Sequence, residues 1–493
     1  MDDVLARVAG LRRAGRFGEA RALVAEALAA APRNADLWHA EGVLCRAEGR
    51  PGAAARAFEK ALELAPGRLE TRVALGNARR LMGDSAAAEA LYRAVLADRP
   101  GHPTASLNLG TLLADEDRLE EAEGHLAAAL AALDSHPEGL PAWGLEGAEA
   151  RAHVATGLGT VRLRQGRPAA ALPLLEEAHR LTPDDATTAF NLAWALFAAG
   201  RWTEGWGPYG ARTRLPGLAP PQGLVGRRWD GTPGGQGETL LLYGEQGLGD
   251  TLQFARLVGL ARARWPGRLE LAVHRPLRRL LRRAVPADTV LPLDAIGPHH
   301  AQASLLDLPV LLGLPEPAAM AAAAPAPYLK APGPPPDWLP ADGCRVGLVW
   351  RGGADNRMDR IRSCPPEALL PLLDLPGVSW VSLQLPRGAD SPPPLAALPG
   401  LEGRVDDLAE TARVIAGLDL LIGVDTAVTH LAGALGVPTW LLLAHAPDFR
   451  WGTQGTRSLW YPAARLFRQP RRGAWAPLVR AVRRGLASCL ETC

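Results

Sequence analysis

The sequence predicts a multidomain protein, an all-α repeat solenoid followed by an α/β region with two Rossmann-like lobes, and three observations carry that prediction. The chain has 493 residues, well beyond the roughly 100–200 of one domain. Pro32, Pro66 and Pro100 recur at intervals of 34 residues. Past a stretch rich in Pro and Gly at 214–237, the apolar period changes from helical to strand-like.

Ala20, Ala54 and Ala88 share the register of the prolines, as do Val24, Phe58 and Tyr92, and then Ala27, Ala61 and Val95. Small residues at the first set let two helices approach, and the larger ones fill the groove between neighbouring hairpins. Gly15, Gly49 and Gly83 recur where the two helices of a hairpin turn. A 34-residue period with these features is that of the tetratricopeptide repeat. A fourth unit starts near Pro103, with Leu109, Gly110 and Ala122 in phase, and SHPEGLPAWGLEG interrupts the array as a loop or a lengthened helix. The period resumes with Gly166, Ala171, Leu175, Ala178 and Pro183. A sixth unit lies in NLAWALFAAGRWTEGWGPYGAR, whose Trp202, Trp206 and Tyr209 are expected to close the array. The expected organisation is a repeat array over 1–213, with an insertion near 137–151, a linker over 214–237, and lobes over 238–340 and 341–493.

Composition excludes several classes. With 47% hydrophobic and 22% charged residues and a formal net charge of +2, the chain is globular and offers no polyanion-binding excess, so nucleic acid is not expected as a partner. Five scattered cysteines without CxxC spacing argue against a disulfide framework and a zinc site. MDDVLARVAG lacks the apolar core of a signal peptide, and no stretch approaches the ~20 apolar residues of a membrane span. A cytoplasmic protein with no integral membrane segment is expected.

In the second half, TLLLY, LELAV and TVLPL read as short buried strands, with a helix expected from Thr251 to about Arg264 and another in PLRRLLRRA. A linker, APAPYLKAPGPPPDWLP, leads to a second series, RVGLVW, VSWVSLQ, DLLIGV and TWLLLA. Strands alternating with helices imply parallel sheets, and ligands of such sheets bind beyond the C-terminal strand ends.

Three segments stand at those ends. In GVDTAVTHLAGALGVPTW a strand turns directly into a helix beginning near Thr426, where Asp425 and Thr426 are cap candidates and free amides suit a diphosphate. The competing reading is an ordinary capped helix, and His430, one turn in, is either a ligand contact or structural. In GEQGLGDTLQFAR, Gly247 and Gly249 permit close backbone approach, and Asp250 is either an N-cap or a general base, with Glu245 a second carboxylate candidate. In VWRGGADNRMDRIRS, Arg351, Arg360 and Arg362 are placed to face a diphosphate, with Asn356 and Ser363 as supplements, or else are ordinary exposed loop arginines.

Together with SLQ, DDLAETA and the tail WYPAARLFRQP, these segments resemble glycosyltransferase family 9, the heptosyltransferase-like enzymes of GT-B fold, from about Trp229 onward. The resemblance implies a GT-B-like domain and a metal-independent nucleotide-sugar glycosyltransferase that needs no cofactor besides its donor. Asp250 matches the family's catalytic aspartate, and Asp425, Thr426, Ala427 and His430 match its donor-binding segment. The chain departs from the family at Ala427, where Gly is usual, and at a phosphate-binding lysine, for which Arg360 or Arg362 stands. The layout is also similar to protein O-GlcNAc transferases, which implies a polypeptide acceptor or protein partner on the repeats. A non-catalytic repeat scaffold with a degenerate transferase-like domain remains the alternative.

Overall fold

The computed structural model describes residues 2–136, 139–140, 145–353, 359–386 and 391–491. The chain divides into two compact units, Met1–Asn191 and Leu192–Cys493.

The first unit is a succession of helical hairpins: Asp2–Arg13 with Phe17–Ala30, Ala35–Ala47 with Pro51–Leu64, Leu69–Leu81 with Ser85–Asp98, Pro103–Asp115 with Leu119–Asp134, and Gly147–Arg164 with Pro168–Leu181. Ala20, Ala54 and Ala88, like Val24, Phe58 and Tyr92, are fully enclosed. The hairpin turns need left-handed backbone, with φ of 71° at Gly15, 73° at Gly49 and 81° at Gly83, and Asp117 adopts 72° at the next place in the period. A second set of glycines explains the close helix approach. A methyl group on Gly42, Gly76 or Gly110 would lie within 2.4 Å of Phe58, 2.5 Å of Tyr92 or 2.7 Å of Leu126. Much of the interrupting segment lies outside the described residues; within it, β1 (Gly139–Leu140) pairs with β2 (Leu145–Glu146).

The second unit holds two parallel sheets. The first is formed by β3 (Arg227–Arg228), β4 (Thr239–Tyr243), β5 (Arg268–Val273), β6 (Thr289–Pro292) and β7 (Ala301–Ser304), in the order β3-β7-β4-β5-β6. The second comprises β8 (Cys344–Val349), β9 (Val378–Ser382), β10 (Leu420–Val424), β11 (Thr439–Leu443) and β12 (Ala464–Arg468), in the order β12-β11-β10-β8-β9. β10 and β11 are buried along their whole length, which is why they read as unbroken apolar runs. The sequence reading misses β7, because AQAS is short and carries no large apolar residue, although it is hydrogen-bonded between β3 and β4.

One helix differs from expectation. It begins at Leu248, not Thr251, and breaks into Leu248–Phe254, a 3-10 turn at Ala255–Leu257 and Val258–Arg264. Asp250 is therefore the third residue of the first turn, and Gly247 holds the N-cap position.

The linker straps the lobes: the Tyr328 and Leu329 amides both donate to the Ala434 carbonyl, and the Tyr328 hydroxyl donates to Leu252 O at 3.0 Å. Arg279 of the first lobe pairs with Asp407 at 2.8 Å and with Glu410, both of the second. Among the described residues no helix is long and apolar enough to cross a membrane.

Candidate functional site

The C-terminal strand ends deliver the site. Gly244–Asp250 follows β4, His274 follows β5, Arg351 follows β8, Asp425 and Thr426 follow β10, and Asp448 and Arg450 lie beyond β11.

In the glycine-rich loop, Asp250 is engaged at both oxygens. The Gly247 N–H donates to Oδ2 at 2.9 Å, and the Arg450 guanidinium pairs with Oδ1. The first bond closes the helix start, as an acidic residue at the third helical position does. Gly249 has a different reason to be glycine: a Cβ there would lie 2.8 Å from His430 Cδ2 and 3.7 Å from Ala427 Cα. The starts of the helices Leu248–Phe254 and Ala427–Leu435 thus meet face to face. Glu245 is not an accessible base. It is 5% exposed, and its Oε1 accepts from Arg212 Nε at 2.6 Å. Burial raises its pKa against the pull of Arg212.

Opposite stands the nine-residue helix Ala427–Leu435. Thr426 occupies its N-cap position, but neither Thr426 nor Asp425 caps it as the sequence reading proposes. The Thr426 N–H donates to the Thr429 hydroxyl at 3.0 Å, and the Thr429 N–H donates to the Thr426 carbonyl at 3.1 Å and not to the side chain, leaving Thr426 Oγ1 buried without a partner. Asp425 turns to His430, with Oδ1 3.5 Å from Nε2. His430 is 5% exposed, and its Nδ1 lies 2.9 Å from the Tyr461 hydroxyl. Burial opposes the Asp425 charge, yet the His430 contact and the nearby Arg362 guanidinium hold its pKa below the usual carboxylate range.

Of the loop arginines, Arg362 reaches back to Asp359 Oδ1 at 3.3 Å, while Asp359 also accepts from the Gly352 N–H at 2.8 Å. The Arg351 amide donates to Gln384 Oε1 at 2.9 Å. Arg360 is exposed, Ser363 Oγ is enclosed without a partner, and Asn356 lies outside the described residues.

Sequence reasoning missed the hub of the site. Arg450 bridges Asp250 and Asp448, the latter at 2.9 Å, with its guanidinium 4.7 Å from the Phe449 ring centre. Burial raises the Asp448 pKa, and neighbouring Asp425 and Asp250 push the same way. His274 was missed too. Burial lowers its pKa, Asp250 acts on it from nearby, and its Nδ1 is enclosed without a partner. The rule that ligands bind beyond strand ends, applied to LELAVH and to LLLAHAPDFR, points to both places.

Residues 73–137 and 156–217 match one tetratricopeptide repeat family and residues 35–68 match a second. Residues 400–459 match glycosyltransferase family 9 (heptosyltransferase). The chain carries tetratricopeptide repeats and a glycosyltransferase family 9 segment. That family 9 segment contains Asp425, Thr426, Ala427, His430, Asp448 and Arg450, whereas Asp250 lies outside it. Protein FlbA of Caulobacter vibrioides (strain ATCC 19089 / CIP 103742 / CB 15) is 32% identical over 350 residues, covering 64% of this chain and 58% of FlbA. The match thus spans less than two thirds of that relative's length. Similar solved structures include the APC/C hetero-tetramer Cut9–Hcn1, at 17% identity over 43% of this chain and 39% of that one, with a TM-score of 0.39. Pseudomonas aeruginosa pilF is 24% identical over 36% of this chain and 75% of its own, with a TM-score of 0.32.

Proposed function

We propose that the chain is a glycosyltransferase that moves a sugar from a nucleoside diphosphate sugar to a protein or glycan acceptor, with the repeats recruiting the acceptor or a partner protein. The observation that carries this reading is Thr426. Its hydroxyl is enclosed and unpartnered at the start of a helix whose first two amides, those of Ala427 and Val428, have no intrahelical acceptor, while the third, of Thr429, donates to the Thr426 carbonyl at 3.1 Å. A diphosphate satisfies both needs at once.

In the proposed reaction the acceptor hydroxyl loses its proton to Asp250, and its oxygen bonds to the anomeric carbon of the donor. The bond from that carbon to the diphosphate oxygen breaks, and the nucleoside diphosphate leaves with the electron pair. The helix start, Arg362 and Arg351 receive the charge. Each Asp250 oxygen keeps a further lone pair beside its bond to Arg450 or Gly247, and one of these takes the proton.

The rival reading, a repeat scaffold with a degenerate transferase-like domain, draws on that same engagement of both Asp250 oxygens. Thermal-shift titration with UDP, GDP, ADP and their sugars, followed by turnover of any ligand that binds, separates the two. Asp250→Asn is expected to keep nucleotide binding and to lose transfer by at least ~100-fold. Undiminished turnover in that variant would remove Asp250 from the mechanism, and binding without any transfer or hydrolysis in the wild type would favour the scaffold.

A further inference from the structure

The loop that carries Asp250 is held from outside the two lobes. The segment Trp202–Tyr209 and the 3-10 turn Gly210–Arg214 belong to the last helical unit, yet they lie in the compact unit that contains both sheets. Arg212 is 1% exposed and forks between two carboxylates, Glu245 Oε1 at 2.6 Å from Nε and Asp307 Oδ1 at 2.7 Å from Nη2. Its guanidinium stands 4.7 Å from the centre of the Tyr209 ring. The Tyr209 hydroxyl in turn accepts from Gln246 Nε2 at 3.1 Å.

Of three consecutive loop residues, two are thereby fixed from outside the loop and the third from within it. Glu245 is held by Arg212, Gln246 by Tyr209, and Gly247 by its bond to Asp250 Oδ2. The middle one needs holding. Gln246 has φ of 59°, a left-handed conformation that an ordinary side chain adopts only at a cost. A loop free to relax there would carry Gly247, and with it the Asp250 carboxylate, out of position.

The same segment seats the other side of the site. Phe449, next to Arg450, lies 5.6 Å from Trp202 and 6.3 Å from Tyr209, measured between ring centres, and 4.8 Å from Phe197 of the preceding helix, Ala186–Ala198. Trp206 Nε1 donates to Pro315 O at 2.8 Å and the Thr203 hydroxyl to Glu316 Oε1 at 2.7 Å, so the segment is fastened to the first lobe as well. One stretch of helix sets the loops bearing both halves of the Asp250–Arg450 pair.

We propose that Tyr209 and Arg212 are positioning residues of the transferase site, fixing Gly244–Asp250 so that the Asp250 carboxylate faces the acceptor; this rests on the glycosyltransferase reading above. The decisive variant is Tyr209→Phe, which removes one hydroxyl and keeps the buried ring. In the full chain, hydrogen exchange at 244–250 is expected to rise at least about fivefold. Exchange in β11 and in the helix Ser85–Asp98 is expected to stay the same. With a donor that turns over, kcat should fall on the order of tenfold while the donor KM stays within about twofold. Arg212→Met leaves Glu245 and Asp307 without their cation and is open to misfolding, so Arg212→Lys is the companion: it keeps the charge but not the fork. Its loop exchange should lie between wild type and Tyr209→Phe. Unchanged exchange at 244–250 in Tyr209→Phe overturns the proposal whatever the turnover, as does a loss confined to KM or to the thermal midpoint. If the wild type turns over no nucleotide sugar, the transferase reading falls, and the exchange measurement still decides whether these residues hold the loop.

Discussion

Gly249→Ala tests the close meeting of the glycine-rich loop and the Ala427–Leu435 helix. The added methyl would lie 2.8 Å from His430 Cδ2 and 3.5 Å from Nε2, where carbon atoms prefer about 3.5–4.0 Å. The ring has little room to yield. Its Nδ1 is 2.9 Å from the Tyr461 hydroxyl, its Nε2 is 3.5 Å from Asp425, and its centre is 5.3 Å from that of Trp451. Overpacking of this kind costs roughly 1–3 kcal/mol, and a first-turn position regains less than the ~1 kcal/mol of a helix interior. A net loss of about 1–2 kcal/mol is expected. Gly259→Ala is the control, because its methyl would meet only Pro286, at 3.9 Å. The assay is urea unfolding followed by tryptophan fluorescence, run for each variant and again in a His430→Ala background. Most of the Gly249→Ala cost should vanish in that background. If Gly249→Ala is as stable as Gly259→Ala, or the double-variant cycle shows coupling below ~0.3 kcal/mol, the two helix starts do not meet as described. The same substitution should also weaken the thermal response to any nucleotide that binds, since it displaces the helix start that would receive the diphosphate.

Three further outcomes concern the repeats. Gly76→Ala places a methyl 2.5 Å from Tyr92 Cε1 and should destabilise the first unit by roughly 1–2 kcal/mol after helix propensity is counted. Gly124→Ala, where nothing lies within 4 Å, should stabilise it by up to ~1 kcal/mol in the same urea titration. His102 caps the helix Pro103–Asp115 through Nδ1, which accepts from the Ala105 N–H at 3.3 Å, and burial lowers its pKa. With the folded value below the unfolded ~6.5, the unfolded chain binds the proton first. The stabilisation is therefore complete above pH ~6.5 and is lost as pH falls through the folded value. Thermal midpoints from pH 7.5 to 5 should fall more steeply for the wild type than for His102→Asn, whose amide oxygen caps without titrating, and parallel curves would contradict this role.

The fold was legible wherever a local rule sufficed. A 34-residue register needs only the identity of Pro32, Ala54 or Gly83, because each repeat solves the same packing problem with its neighbour. β10 and β11 were legible because strands covered on both faces must be apolar throughout. What failed locally was whatever another element supplies. AQAS becomes a strand because β3 and β4 flank it and offer backbone partners on both sides. The helix after β4 starts early because Asp250 folds back onto the Gly247 amide, a contact that LGDTLQF alone does not demand.

The site divides along the same line. Gly247, Gly249, Asp250, Asp425 and Thr426 stand out in sequence because they sit in strand-to-helix turns with little else to explain them. Their partners do not stand out. Arg450 meets Asp250 across 200 positions, and Arg212 meets Glu245 from a segment that reads as the last repeat. Even at a legible position the reason differs. Gly249 suggests room for a ligand, but the structure fills that room with the His430 ring. Thr426 suggests a helix cap, but the Thr429 N–H goes to the Thr426 carbonyl and leaves the Thr426 hydroxyl unpartnered. A cap satisfied within the protein would leave a ligand nothing to offer. The unpartnered hydroxyl, visible only once Thr429 is placed, is what turns an ordinary helix start into a candidate diphosphate site.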